Sequence, residues 1–223
     1  MQTLKINNLD IKAVVGGTDL ICYLLYPAAV SGQWMEHAAA LYGVSIAVIT
    51  GMDWDNDLTP WKAKGVPTGT PDFKGDAPQF LSLLRQSVIP EVEQRLGIAA
   101  DVRRTLAGVS LSGLFTLWEW MECDVFTDII SLSGSFWYEG FADWLTSQPV
   151  LSRSGRAYFL LGNKEAQSPV PQFRCVQKDT ARIVDYLSAH SVKTCFELVP
   201  GNHYQYAQQR LERSFAWMFG VRQ

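Results

Sequence analysis

Six short, β-rich runs recur along this chain, mostly separated by stretches whose apolar residues fall at helical spacing. That alternation restricts the fold more than any single motif does. The runs are residues 20–26 (LICYLLY), 44–50 (VSIAVIT), 105–109 (TLAGV), 129–132 (IISL), 157–161 (AYFLL) and 194–199 (TCFELV). Each has strand length and is nearly continuous in apolar side chains, the pattern of strands buried on both faces. Residues 34–41, 77–96, 113–121, 176–189 and 205–219 read as helices. In the longest of these, Phe80, Leu81, Leu84, Val88 and Val92 line one face, and Pro90 is expected to kink or break it. Strands alternating with helices imply βαβ units. The expected architecture is a mostly parallel sheet with helices on both faces, a three-layer α/β/α arrangement. With 223 residues, 48% of them hydrophobic, the chain suits a single domain over residues 1–223 with a sizeable core. Ligands of such sheets bind at the carboxyl ends of the strands. The loops after Thr50, Val109, Leu132, Leu161 and Val199 are therefore expected to share one edge.

One of those loops has an unusual composition. Gly108-Val109-Ser110-Leu111-Ser112-Gly113 runs from a strand through a tight turn into a helix. A nucleophile elbow needs small residues two before and two after the nucleophile, because strand and helix backbones approach closely there. Gly108 and Ser112 meet that need around Ser110. Such a turn exposes the Ser110 hydroxyl above the sheet edge. It also aims the Leu111 N–H, at a helix N-terminus, toward a developing oxyanion. The plainer reading is a turn that only caps a helix, with Ser112 as N-cap.

The chain has three histidines. His37 falls within a helical stretch, and His190 near a helix end, where a cation complements the helix dipole. Only His203, in Pro200-Gly201-Asn202-His203, follows a strand at its carboxyl end. Ser110 followed by His203 keeps the chain order nucleophile, acid, histidine. The acid is then expected after the preceding strand, where Leu161-Gly162-Asn163-Lys164-Glu165 offers Glu165. Asn163 could instead orient an imidazole, and a Ser–His dyad without an acid stays open. In this reading His203 takes the Ser110 proton as the hydroxyl attacks an acyl carbonyl. Leu111 and a second N–H, near Ala28 or Ala29 in the YPAAV turn, stabilise the anion.

With these residues in place, the sequence resembles the esterase D-type branch of the α/β-hydrolase superfamily, which also contains siderophore (enterobactin-type) and feruloyl esterases. The carriers are ITGMDWDNDLTPW, FKGDAPQFLSLLRQSVIPEVEQRL, AGVSLSGLFTLWEW, SLSGSFWYEGF, YFLLGNKEA and FELVPGNHYQ, which together span most of the chain. The resemblance implies an α/β-hydrolase fold, Ser110 as nucleophile and His203 as base. It also implies that Asp57-Leu58-Thr59-Pro60 shapes the site mouth, and that the segment from Ser133 to Trp137, including Ser135, forms a wall. Two positions depart from the pattern. Relatives often read G-D-K-E where this chain has Gly162-Asn163-Lys164-Glu165, and most have Gly or Ala at the position of Ser112.

Trp54, Trp61, Trp137 and Tyr138 fall in loops at the same edge, where they either stack on a ring-bearing substrate or pack as lids. A net charge of -3 with no Lys/Arg run argues against nucleic acid as a partner. Cys22, Cys123, Cys175 and Cys195 form no C-x-x-C pair and have no histidine at ligand spacing. They read as buried thiols. Asp53, Asp55 and Asp57 lack the Gly and closing Glu of a calcium loop. No metal or cofactor is expected. The N-terminus does not read as a signal peptide, and no stretch reaches the ~18 apolar residues of a membrane span, so a cytoplasmic protein is expected. The expected partner is a small or medium carboxylic ester; the pattern does not encode an oligomeric state. Two alternatives stay open: a non-catalytic binding protein on the same fold, and an acyltransferase using the same serine.

Overall fold

The apolar runs assemble into one sheet, seen in a computed structural model that describes residues 1–149 and 155–220. β3 (Leu20–Leu25), β4 (Ser45–Thr50), β5 (Arg103–Val109), β6 (Asp128–Leu132), β7 (Arg156–Gly162) and β8 (Lys193–Val199) are mutually parallel. β3 lies between β4 and β5, and the order then runs β5-β6-β7-β8. The first turn of β5 is polar and so escaped the apolar pattern. Its Arg103 pairs with the buried Asp128 and its Arg104 with Glu93.

The N-terminal residues add two strands that a search for continuous apolar runs does not find. β1 (Gln2–Ile6) and β2 (Leu9–Val14) form an antiparallel hairpin, and β2 pairs antiparallel with β4. In β2, Leu9, Ile11 and Ala13 are buried while Asp10 and Lys12 face outward, the alternation of an antiparallel strand with one face toward water. Asn7 and Asn8 make the two-residue turn, with Asn7 at φ 54°, a conformation that asparagine tolerates.

Helices cover both faces. Along β3, Ile21, Tyr23 and Leu25 belong to one core and Cys22 and Leu24 to the other. The second core is closed by α1 (Gly32–Tyr42) and α7 (Ala207–Phe219), whose Trp34 and Phe215 rings meet edge to face at 5.2 Å. Phe215 is fully buried, worth about 1.5–3 kcal/mol on area alone. The first core is closed by α2 (Ala77–Leu83), α3 (Ile89–Leu96), α4 (Leu111–Glu122), α5 (Phe141–Ser147) and α6 (Val176–Ala189). α5 lies between β6 and β7, where the sequence pattern gave no helix.

The stretch over residues 77–96 is interrupted just before Pro90 and divides into α2 and α3. Leu84–Val88 forms a π-helical turn between α2 and α3, and the Ile89 N–H bonds the Leu84 carbonyl. The wider turn makes room for a ring that has no N–H to donate. Cys22 is fully buried, whereas Cys123, Cys175 and Cys195 are only half-buried. Among the described residues no helix is long and apolar enough to cross a membrane.

Candidate active site

The turn from β5 into α4 holds Ser110 at φ 58° and ψ -122°, a region costly for a residue with a side chain. Three backbone hydrogen bonds fix it there. The Ser110 N–H donates to Leu132 O (3.0 Å), and its carbonyl accepts from the N–H groups of Leu114 (3.0 Å) and Ser135 (3.0 Å). A Cβ at Gly108 would collide with the Ser112 carbonyl, and one at Gly113 would stand 2.8 Å from Ser131 Oγ. Both glycines are therefore required by the close approach of strand and helix. Ser112 is not the N-cap; that position is Ser110, whose side chain makes no capping bond. The Ser112 hydroxyl is buried, accepts the Val109 N–H (2.8 Å) and lies 2.8 Å from Leu25 O, tying the elbow to the end of β3. A larger hydroxyl-bearing residue than the usual Gly or Ala is accommodated because it is fully hydrogen-bonded.

A hydroxyl–imidazole–carboxylate chain crosses the carboxyl edge of the sheet. His203, on the loop after β8, places Nε2 3.1 Å from Ser110 Oγ and Nδ1 2.8 Å from Glu165 Oε2. Glu165 opens a short 3₁₀ turn after β7. Its Oε1 accepts from the Gly162 N–H (2.6 Å), the Ser133 hydroxyl (2.7 Å) and Arg210 Nη1 (3.0 Å). Burial alone would raise the Glu165 pKa. Hydrogen bonds from His203, Ser133 and Gly162 outweigh it and hold the carboxyl below its ordinary value. A carboxylate accepts and does not donate, so Nδ1 is the ring nitrogen that donates to Glu165, and Nε2 is the one turned toward Ser110. Ser135 Oγ lies 3.3 Å from Ser110 Oγ. Asn163 does not reach the imidazole; its Oδ1 accepts the Gly201 N–H at 3.3 Å and joins the β7 and β8 loops. His190 caps α6, with Nδ1 2.8 Å from Tyr186 O.

The sequence pattern of the Esterase family matches residues 26–218. The chain belongs to the Esterase family. The protein is a carboxylic ester hydrolase. It is 25% identical over 183 residues to the uncharacterized protein YbbA of Bacillus subtilis (strain 168), covering 78% of this chain and 73% of that one. An IroE-like serine hydrolase from Shewanella oneidensis superposes with a TM-score of 0.76 at 15% identity, over 98% of this chain and 79% of the other. The siderophore hydrolase EstA from Aspergillus nidulans gives 0.66 at 19%, over 94% and 88%. The shared architecture is the α/β-hydrolase fold.

In this esterase a cleft of about 290 Å³ opens beside Ser110 and His203. Trp137 lines it and meets the Phe173 ring at 4.5 Å; Pro169, Val170, Val176 and Tyr204 complete the walls. The Leu111 N–H, first in α4, has no acceptor within its own helix. Ala28 and Ala29 are exposed on the loop after β3, and neither lines the cleft. Trp54 and Trp61 do not line it either. Trp54 packs on the main core. Trp61 donates Nε1–H to Glu139 O (3.0 Å) and stacks on Phe141, so its indole is taken up by the fold. Tyr138 is buried, with its hydroxyl donating to Trp61 O. Of the four loop aromatics, Trp137 alone borders the cleft. Leu58, Thr59 and Pro60 are buried, Leu58 in the first core. The sequence reading missed Phe173 and its neighbours, which lie in an aperiodic, proline-bearing segment. It also missed Arg210, which carries no signal distinguishing it from a solvated helix cation.

Proposed function

We propose that the protein hydrolyses small or medium uncharged carboxylic esters through an acyl-Ser110 intermediate, with His203 as general base and Glu165 as the acid that orients it. The observation that carries this reading is the unbroken path from Glu165 Oε2 through the His203 ring to Ser110 Oγ, at 2.8 Å and 3.1 Å. His203 Nε2 takes the hydroxyl proton as Ser110 attacks, and Glu165 stabilises the imidazolium. The Leu111 N–H receives the developing oxyanion. The imidazolium then protonates the leaving alcohol, and water attacks the acyl group by the reverse path. The His203 side chain is 30% exposed, which leaves water a route to the acyl-enzyme and favours hydrolysis over transfer to an alcohol.

Cleft chemistry supports the substrate class. Among the described residues no Lys or Arg lines the cleft, so an anionic acyl group gains no ion pair from them. Trp137, Phe173 and Tyr204 suit a flat ring or a short acyl chain. Ser135 borders the nucleophile and Trp137 the substrate. The test is Ser110→Ala assayed on p-nitrophenyl butyrate and with a fluorophosphonate. Hydrolysis and labelling are both expected to vanish in a protein that melts normally. Wild-type turnover by the folded variant refutes the reading.

A further inference from the structure

Arg210 lies on α7, which packs against β6 and β7 on the second core. Its side chain is 4% exposed. Nη1 donates to Ser133 Oγ (2.6 Å) and Glu165 Oε1 (3.0 Å), and Nη2 donates to the Asn202 carbonyl (2.6 Å). These three partners stand on three different loops, after β6, β7 and β8. Asn202 precedes His203. Ser133, held at φ 50°, in turn donates its hydroxyl to the same Glu165 oxygen. Gly162 leaves the space this requires, since a Cβ there would stand 2.5 Å from Arg210 Nη2. A planar guanidinium can satisfy diverging acceptors at once, which an ammonium cannot do in the same geometry.

Resting on the reading of Ser110, His203 and Glu165 given above, we infer that Arg210 is a positioning residue for ester hydrolysis. It fixes the Glu165 carboxylate and the backbone before His203 in one frame, and so sets the imidazole against Ser110. It touches neither substrate nor the reacting atoms. The inferred effect is on the chemical step and not on substrate binding, because Arg210 does not line the cleft.

The experiment compares Arg210→Met, Arg210→Lys, Glu165→Gln and the Arg210→Met/Glu165→Gln double variant on p-nitrophenyl butyrate, with melting curves for each. Arg210→Met is expected to lower kcat about 100-fold with KM within about threefold, the scale of a misplaced catalytic group. Fluorophosphonate labelling of Ser110 slows in parallel. Arg210→Lys keeps the charge without the fork and is expected near a tenfold loss. The double variant is expected to melt higher than Arg210→Met, because no uncompensated carboxylate stays buried, while its kcat falls about as far as that of Glu165→Gln alone. Losses that multiply in the double variant, or wild-type kcat and KM in folded Arg210→Met, overturn the inference. If Arg210→Met does not fold, wild-type kcat in Arg210→Lys overturns it and a lowered kcat at unchanged KM upholds it. Ser110→Ala run alongside separates the cases: if it retains activity, the reading of the nucleophile fails, not the role of Arg210.

Discussion

Glu165→Gln changes one atom and is expected to cost far more than a lost hydrogen bond. Oε1 of Glu165 accepts three donors, from Gly162, Ser133 and Arg210. In the variant only the amide oxygen can occupy that place, because an NH₂ there would face three donors. The NH₂ must then take the Oε2 position, 2.8 Å from His203 Nδ1. An amide donates, so Nδ1 must accept, and the imidazole proton moves to Nε2. The nitrogen that should receive the Ser110 proton would then carry one of its own. The equivalent acid-to-amide change in a serine protease, through the same tautomer error, lowers kcat about 10⁴-fold. We expect a similar loss here, about 5.4 kcal/mol in the barrier at 1.36 kcal/mol per tenfold. KM is expected within about threefold, since both Glu165 oxygens are already taken by protein donors. His203→Ala removes the base entirely and is expected to cost more, about 10⁶-fold. Steady-state hydrolysis of p-nitrophenyl butyrate by both variants checks this. A Glu165→Gln enzyme within tenfold of wild type, or slower than His203→Ala, refutes the tautomer argument.

Asp128 is fully buried between Arg103 and Arg156 at 2.8 Å each, and also accepts the Arg156 N–H. Asp128→Asn is expected to destabilise by about 3 kcal/mol, the low end for breaking a buried pair because the amide keeps some hydrogen bonds; urea unfolding at neutral pH measures it. Burial raises the Asp128 pKa, but hydrogen bonds from both arginines outweigh it and hold the group below its ordinary value. Its contribution to stability is therefore complete above the unfolded-state pKa of about 3.9 and is lost as pH falls through the folded-state value. Unfolding midpoints that do not drop below pH 4 more steeply in wild type than in Asp128→Asn would contradict this. Trp137→Ala is expected to raise KM for a feruloyl or benzoyl ester about tenfold, on the scale of a lost aromatic contact. Trp61→Phe is expected to lower the melting temperature with KM unchanged, because its ring meets Phe141 and Trp144 rather than the cleft. Equal KM effects from the two would place Trp61 against the substrate.

The parallel centre of the sheet was legible because strands buried on both faces leave apolar runs with no competing pattern. Such runs as LICYLLY and AYFLL became β3 and β7 within a residue or two at each end. The β1–β2 hairpin was not read, because an edge strand writes alternation instead. Its signal, Asn7-Asn8 between alternating segments, was present but outweighed by Lys and Asp at the outward positions. The Pro90 expectation holds in part: the regular helix is interrupted just before the proline, by one π-helical turn with helical backbone on either side of it.

At the site, the same distinction decides what sequence could give. Ser110 sits where strand and helix backbones approach closely, and that approach requires Gly108 and Gly113, so it leaves a local mark. His203 and Glu165 lie at strand ends, which a parallel sheet gathers at one edge, and their side chains stand 2.8 Å apart there. The residues that hold them leave no such mark. Ser133, Arg210 and the Asn202 carbonyl become partners only because α7 passes under three loops far apart in the chain. Trp61 shows the converse: loop aromatics at an active edge look alike in sequence, yet its indole N–H is taken by Glu139 while Trp137 is left facing the cleft. Backbone strain and strand-end position are written in neighbouring residues, whereas hydrogen-bond partners across loops are set only by the completed packing.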